Sequence, residues 1–270
     1  MNETVSTVQA SSETQGNGPA VLPVTTSDIL EVLAAGLRDF RAAPLYDLCV
    51  AGIYTAGGWL LILLLVQFDM PFLVYPLAAG FALIAPFIAA AFYAVSRSLE
   101  RNEPPSWSII AASVWGATKS DLGWMALVTG FSLFIWMDIA ALLFFFFLGL
   151  TSLSAQELLR EIFTTPMGLL FLVIGNSVGA AIALAVFSFS VTSFPMLFDR
   201  DVDFVTAMIT SVKVVLANRI AMIVWCVTIA SLIGLSLLSG LVGLLVILPV
   251  LGHASWHLYR RAIPAEPDNC

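Results

Sequence analysis

Apolar residues in this chain gather into six long runs with few charges inside them: Leu45–Val66, Phe72–Val95, Leu122–Leu148, Met167–Phe194, Ile220–Leu238 and Leu241–Leu258. A hydrocarbon core about 30 Å thick takes about 20 residues of helix to cross. The pattern therefore predicts an all-α polytopic membrane protein with six transmembrane helices. Breaks within the first and last pairs are short. Gln67 to Pro71 divides the first pair, and Ser239–Gly240 divides the last, where glycine can take the left-handed conformation that ends a helix. Without a turn there, residues 220–258 would cross once, or once with a re-entrant piece, and the C-terminus would change sides.

A shorter segment, too polar to span, precedes each pair of runs. Residues 28–42 place Leu30, Leu33, Leu37 and Phe40 on one side, with Glu31, Arg38, Asp39 and Arg41 elsewhere. Residues 106–120 repeat the pattern with Trp107, Ile110, Ala111, Val114 and Thr118, and 203–218 with Phe204, Met208, Val212 and Val215. Spacings of three and four mark amphipathic helices, which lie in the membrane interface. Asp28, Ser106 and Asp203 offer side chains to cap their starts. Aligning Trp107 with Phe204 also aligns Asp121 with Asn218, and the exits of the second and fourth runs match as well, Glu100–Arg101 beside Asp199–Arg200. The reading is three parallel repeats, about 28–97, 106–198 and 203–260, each an amphipathic helix plus a transmembrane hairpin. A short outer helix, with Ser154 and Glu157 spaced as a capping box, interrupts the second hairpin.

Composition agrees. Of 270 residues 60% are hydrophobic and 11% charged, with a mean hydropathy of +0.97, whereas soluble domains carry about 25% charged residues. The first 25 residues are polar and lack Lys and Arg, so 1–25 is expected to be a disordered cytoplasmic tail and to hold no signal peptide. The membrane domain is expected at 26–262, and 263–270 is expected to be a flexible tail. With the N-terminus inside, ten of the eleven Lys and Arg residues fall on the cytoplasmic side and Arg160 alone outside. The positive-inside rule then places both termini in the cytoplasm. A net charge of −7 argues against a nucleic-acid partner, which needs a basic face. Cys49, Cys226 and Cys270 are far apart and read as small hydrophobes, not a redox or metal set.

The run from Phe194 to Asp203 (FPMLFDRDVD), the run from Gly252 to Arg260 (GHASWHLYR), and the stretch from Gly80 to Arg97 with Pro86, Tyr93 and Ser96 resemble a bacterial family of predicted integral membrane proteins of unknown function. The resemblance covers about residues 28–262 and implies a multi-pass protein of the inner membrane. Some family members carry the label cytochrome c oxidase subunit I. A haem–copper subunit needs several histidines from different helices; this chain has two, His253 and His257, on one helix. The label does not hold as a catalytic assignment, though association with a respiratory complex is compatible with it.

Four residues stand out as polar sites. His253 and His257, four apart, share one face near the cytoplasmic end of the last run; that suits a metal pair but falls short of a set of three or four ligands. A structural role, bonding to neighbouring helices or lipid headgroups, is the stronger reading. Trp256 and Tyr259 fit an interfacial aromatic belt. Asp138 reads as the acid well inside a run, where a carboxylate is costly unless paired or neutral, and Asn176 on the neighbouring run could share a hydrogen bond with it. Gly175, Gly179 and Ala183 beside Asn176 form a small-residue packing face. No phosphate loop, nucleophile elbow, zinc-protease motif or dinucleotide fingerprint is present, and neither a catalytic residue nor a cofactor is expected. The leading expectation is a non-enzymatic accessory, assembly or scaffold component of membrane complexes, with lipid and other membrane subunits as partners. The alternative is a small-solute or ion transporter or channel with Asp138 and Asn176 near the path; an intramembrane enzyme with a metal at the two histidines ranks below both.

Overall fold

The computed structural model describes residues 19–67, 74–119, 121–149 and 155–264. Among them every regular element is helical. Four helices are long and apolar enough to cross a membrane: α2 (Pro44–Gln67), α5 (Asp121–Leu148), α7 (Pro166–Ser190) and α10 (Arg219–Leu238). The others are α1 (Thr26–Ala42), α3 (Val74–Glu100), α4 (Trp107–Lys119), α6 (Ala155–Thr164), α8 (Ser193–Asp199), α9 (Phe204–Ala217) and α11 (Leu244–Ala262). At 27 residues α3 is about 40 Å long. The 19-residue α11 is less apolar, because His253, His257, Arg260 and Arg261 occupy its C-terminal half.

The three amphipathic segments form α1, α4 and α9. Local chemistry explains their starts. Asp203 accepts from the Thr206 N–H at 2.9 Å, and Ser106 accepts from Ile109, as N-caps should. At α1 the capping residue is Thr25, not Asp28. Asp28 sits three positions later and closes a capping box by accepting the Thr25 N–H at 2.7 Å. The short helix expected between the third and fourth runs is α6; Ser154 lies outside the described residues.

The expected span 167–194 divides in two. Pro195 cannot donate a backbone bond and its ring crowds the carbonyl four residues back, so α7 stops and α8 starts anew. Ser211 of α9 closes the break: its hydroxyl donates to the Ser188 carbonyl at 2.8 Å and accepts the Thr192 N–H at 3.2 Å. The last hairpin turns where the sequence placed it. Gly240 and Leu241 both have positive φ, the Gly240 N–H reaches the Leu237 carbonyl and the Leu241 N–H the Ser236 carbonyl, a Schellman ending.

The core lies at one end of the bundle. It gathers Ile29 and Val32 of α1, Tyr93 of α3, Leu122 and Met125 of α5, Met196 of α8, Val214 of α9, Met222 and Trp225 of α10, and Trp256 and Tyr259 of α11. Trp256 and Tyr259 are fully buried there rather than set in an interfacial belt. Beyond that end the long helices carry exposed apolar side chains, including Phe131, Leu142 and Phe146 on α5 and Leu235 and Leu238 on α10. The residues flanking α1 and α11 belong to the core as well. Leu22 donates its N–H to the Ala262 carbonyl, Val24 donates to Asn218 Oδ1 at 2.7 Å, and Val24 and Ile263 are buried. Order thus extends to both sides of the expected 26–262 boundary, because these backbone groups find partners in the fold.

Candidate functional site

Helix α11 runs through the middle of the core end and packs most extensively on α1, then on α2 and α3. Two glycines set how closely. A Cβ on Gly36 of α1 would stand 2.5 Å from the Val250 carbonyl oxygen and 2.8 Å from the Ala254 nitrogen. A Cβ on Gly252 would stand 2.6 Å from the Phe92 ring of α3. Both contacts are closer than any side chain permits, so α1 and α3 lie directly on α11.

That closeness brings polar side chains from four helices into one chain. His253 Nε2 is 3.0 Å from Asp47 Oδ2 at the start of α2, and both side chains are 0% exposed. On its other edge His253 Nδ1 is 2.8 Å from Ser96 Oγ of α3. The Ser96 hydroxyl donates to Asp39 Oδ2 of α1 at 2.7 Å. His257 Nε2, one turn along α11, reaches the same Asp39 oxygen at 2.8 Å. His257 and Asp39 side chains keep 22% and 15% of their surface. Burial alone would raise the Asp39 carboxyl, but the hydrogen bonds from His257 and Ser96 outweigh it and hold Asp39 below its ordinary value. Asp47 Oδ1 is buried with no partner among the described residues.

A second cluster borders the first. Tyr259 donates to Asp199 Oδ2 at 2.8 Å and accepts from Arg200 Nε at 2.8 Å; Arg200 also donates to the Pro264 carbonyl. Arg260 stands between Glu100 at 3.4 Å and Asp199 at 3.5 Å. Arg261 pairs with Asp28 and Glu31, each at 2.6 Å. Arg97 lies over the Phe198 ring at 4.5 Å, and Phe198 packs edge-on against Tyr93 and Trp256.

The structure thus brings His253 and His257 together with two acids that sequence reasoning did not pair with them. Asp138 and Asn176 are not brought together. Both are exposed, and the Asn176 amide donates to the Leu172 carbonyl of its own helix at 2.7 Å. The acid that the fold buries completely is Asp47. Cys49 is exposed and Cys226 half-buried, while Cys270 lies outside the described residues. No group of three or more His, Cys, Asp or Glu among the described residues is placed to hold a metal ion.

Residues 74–199 match a family model described as a predicted integral membrane protein, DUF2189. With four helices of spanning length and apolarity, that decides the class. The chain is an integral membrane protein. The likeness runs from α3 to α8 and takes in the stretch to Arg97 and the start of the run at Phe194; it leaves out α1, α2 and the two histidines of α11. The match carries no oxidase label. No curated protein and no solved structure matches the chain.

Proposed function

We propose that this integral membrane protein is a six-span, non-enzymatic component of the bacterial inner membrane, with both termini cytoplasmic, that assembles with or scaffolds other membrane subunits. The observation that carries the reading is the α5–α7 pair. The two helices extend beyond the core as an antiparallel hairpin, and the rest of the chain leaves their apolar windows unburied. A cleft of about 510 Å³ lies along them, lined by Thr129, Ser132, Trp136, Gly179, Ala183 and Ser190 among others. Small and hydroxyl-bearing residues are what transmembrane helices use to approach one another closely, since lipid supplies no hydrophobic drive between them. The transporter alternative draws less support: Asp138 and Asn176 do not meet, and the cleft that Asn176 borders is otherwise lined by Trp, Phe, Leu, Ala and Gly.

Six spans require α3 and α11 to cross beside the four apolar helices, and the three-repeat reading supports this. Glu100 at the exit of α3 and Asp199 at the end of α8 converge on Arg260, as equivalent positions of two units would. Asp121 opens α5 and Asn218 immediately precedes α10 in the same way.

Purification of tagged chain from its own membrane in mild detergent, with cross-linking and mass spectrometry, tests the function. A membrane subunit should co-purify in fixed ratio and be lost on Ala183→Leu, which fills the cleft without touching the core. A solitary chain that conducts a solute in proteoliposomes would overturn the proposal.

A further inference from the structure

Four hydrogen bonds link Asp47, His253, Ser96, Asp39 and His257, and each needs one hydrogen. One serine hydroxyl and two neutral imidazoles supply three; ionised carboxylates supply none. The geometry points to a fourth hydrogen: we propose that the chain binds one proton between His253 and Asp47 and exchanges it with the aqueous surface through Ser96, Asp39 and His257.

The directions follow from the donors. Ser96 gives its only hydrogen to Asp39, so its bond to His253 must be received from Nδ1–H. His253 Nε2 then faces Asp47 Oδ2 at 3.0 Å with the added proton between them. The pair is an imidazolium with a carboxylate, or a neutral imidazole with a carboxylic acid. The start of α2 favours the anion at Asp47, whereas complete burial and the unpartnered Oδ1 favour the acid. Without the proton, Nε2–H would donate to Asp47, Nδ1 would accept the Ser96 hydroxyl, and the Ser96–Asp39 bond would be lost.

Loading balances simply. A proton arriving on Asp39 passes to Ser96 as Ser96 passes its own to His253 Nδ1. Asp39 returns to carboxylate, and the cluster goes from two negative charges to one. The partly exposed His257 and Asp39 form the outer end, and the fully buried His253 and Asp47 the inner one. Other charges nearby are already engaged. Arg260 is held by Glu100 and Asp199, Arg261 by Asp28 and Glu31, and Arg97 lies on Phe198. Arg38 and Arg41 of α1 are exposed, α2 adds no charge besides Asp47, and α10 adds only Arg219 at its first residue.

The full chain, labelled with 15N-histidine in lipid nanodiscs, provides the test, because its two histidines give two sets of ring signals that His257→Gln assigns. Across the pH range over which the chain stays folded, the His253 Nδ1 signal should pass from the protonated to the bare position, as one proton leaves per chain. Asp47→Asn keeps a hydrogen-bonding partner for His253 without the carboxylate, and should fold and abolish this transition. Ser96→Ala removes no charge and should slow exchange of the Nδ1 hydrogen with solvent. An Nδ1 signal that stays in one state throughout, or a transition unchanged in Asp47→Asn, would overturn the proposal.

Discussion

Replacing Gly36 by alanine perturbs the contact by which α1 rests on the α11 backbone. The new methyl would meet the Val250 carbonyl oxygen at 2.5 Å and the Ala254 nitrogen at 2.8 Å, against ordinary contact at 3.4–4 Å. Both are backbone atoms inside α11 and cannot swing away. Helix α1 must therefore retreat by about 1 Å, since close-packed interiors do not absorb such an overlap. Asp39 lies one turn further along α1, and its 2.7 Å and 2.8 Å bonds to Ser96 and His257 would stretch beyond hydrogen-bonding range. Overpacking costs about 1–3 kcal/mol, and two bonds to a charged acceptor about 1.5 kcal/mol each. Alanine returns about 1 kcal/mol of helix propensity. The net destabilisation expected is about 4 kcal/mol. Gly116 of α4 has nothing within 4 Å of its Cβ position, so Gly116→Ala should be neutral or stabilising by up to about 1 kcal/mol. Reversible unfolding in mixed micelles, followed by tryptophan fluorescence, measures both. Equal shifts of the same sign would refute the claim that α1 rests on the α11 backbone.

Three further outcomes are expected. Reporters at the N-terminus and after Arg261 should read cytoplasmic and one within residues 151–156 external; an external C-terminus would remove the third hairpin. Tyr259→Phe deletes a hydroxyl bonded to both Asp199 and Arg200 and should cost about 1–3 kcal/mol in the same unfolding assay, while Arg260→Gln, whose pairs are a third exposed, should cost less than about 1 kcal/mol. Asp39 and Asp203 are held below the ordinary carboxylate value. Their contribution is therefore present above pH 3.8 and lost as pH falls through the lower folded values, so unfolding titrations should show stability declining in acid, less steeply in Asp39→Asn.

The helices were legible because lipid solvent writes its demand as length and apolarity, and an interface writes its own as spacings of three and four. Both patterns are local. The positions of α1, α4 and α9 followed, and so did the turn at Gly240. The α7–α8 break carried a signal in Pro195, but proline inside a span is tolerated where neighbours re-satisfy the backbone, and here the neighbour is Ser211, distant in sequence. The site was half legible. His253 and His257 were visible as a pair on one face, and their bonding to neighbouring helices was the structural reading. Their partners were not visible, since Asp39 looked like one polar residue of an amphipathic helix and Asp47 like the polar margin of a span. Gly36 and Gly252 carried the clue, because a small residue on each side is what lets α1 and α3 reach α11. Asp138 drew attention by standing alone in an apolar run, and isolation in sequence proved no guide to burial.

The meeting of α2 and α11 has a consequence for how the protein is made. Asp47 and His253 are 206 residues apart, so at about 5–20 residues per second a ribosome takes about 10–40 s to supply the imidazole after the carboxylate has emerged. Throughout that interval the first span holds an acid whose eventual partner does not yet exist. The insertion machinery or a chaperone must shelter that segment, or it must wait in the interface and sink only when the last helix arrives. A chain truncated before residue 253 would keep most of its apolar spans and still lack the group that completes its first one, giving quality-control proteases a simple mark of an unfinished product.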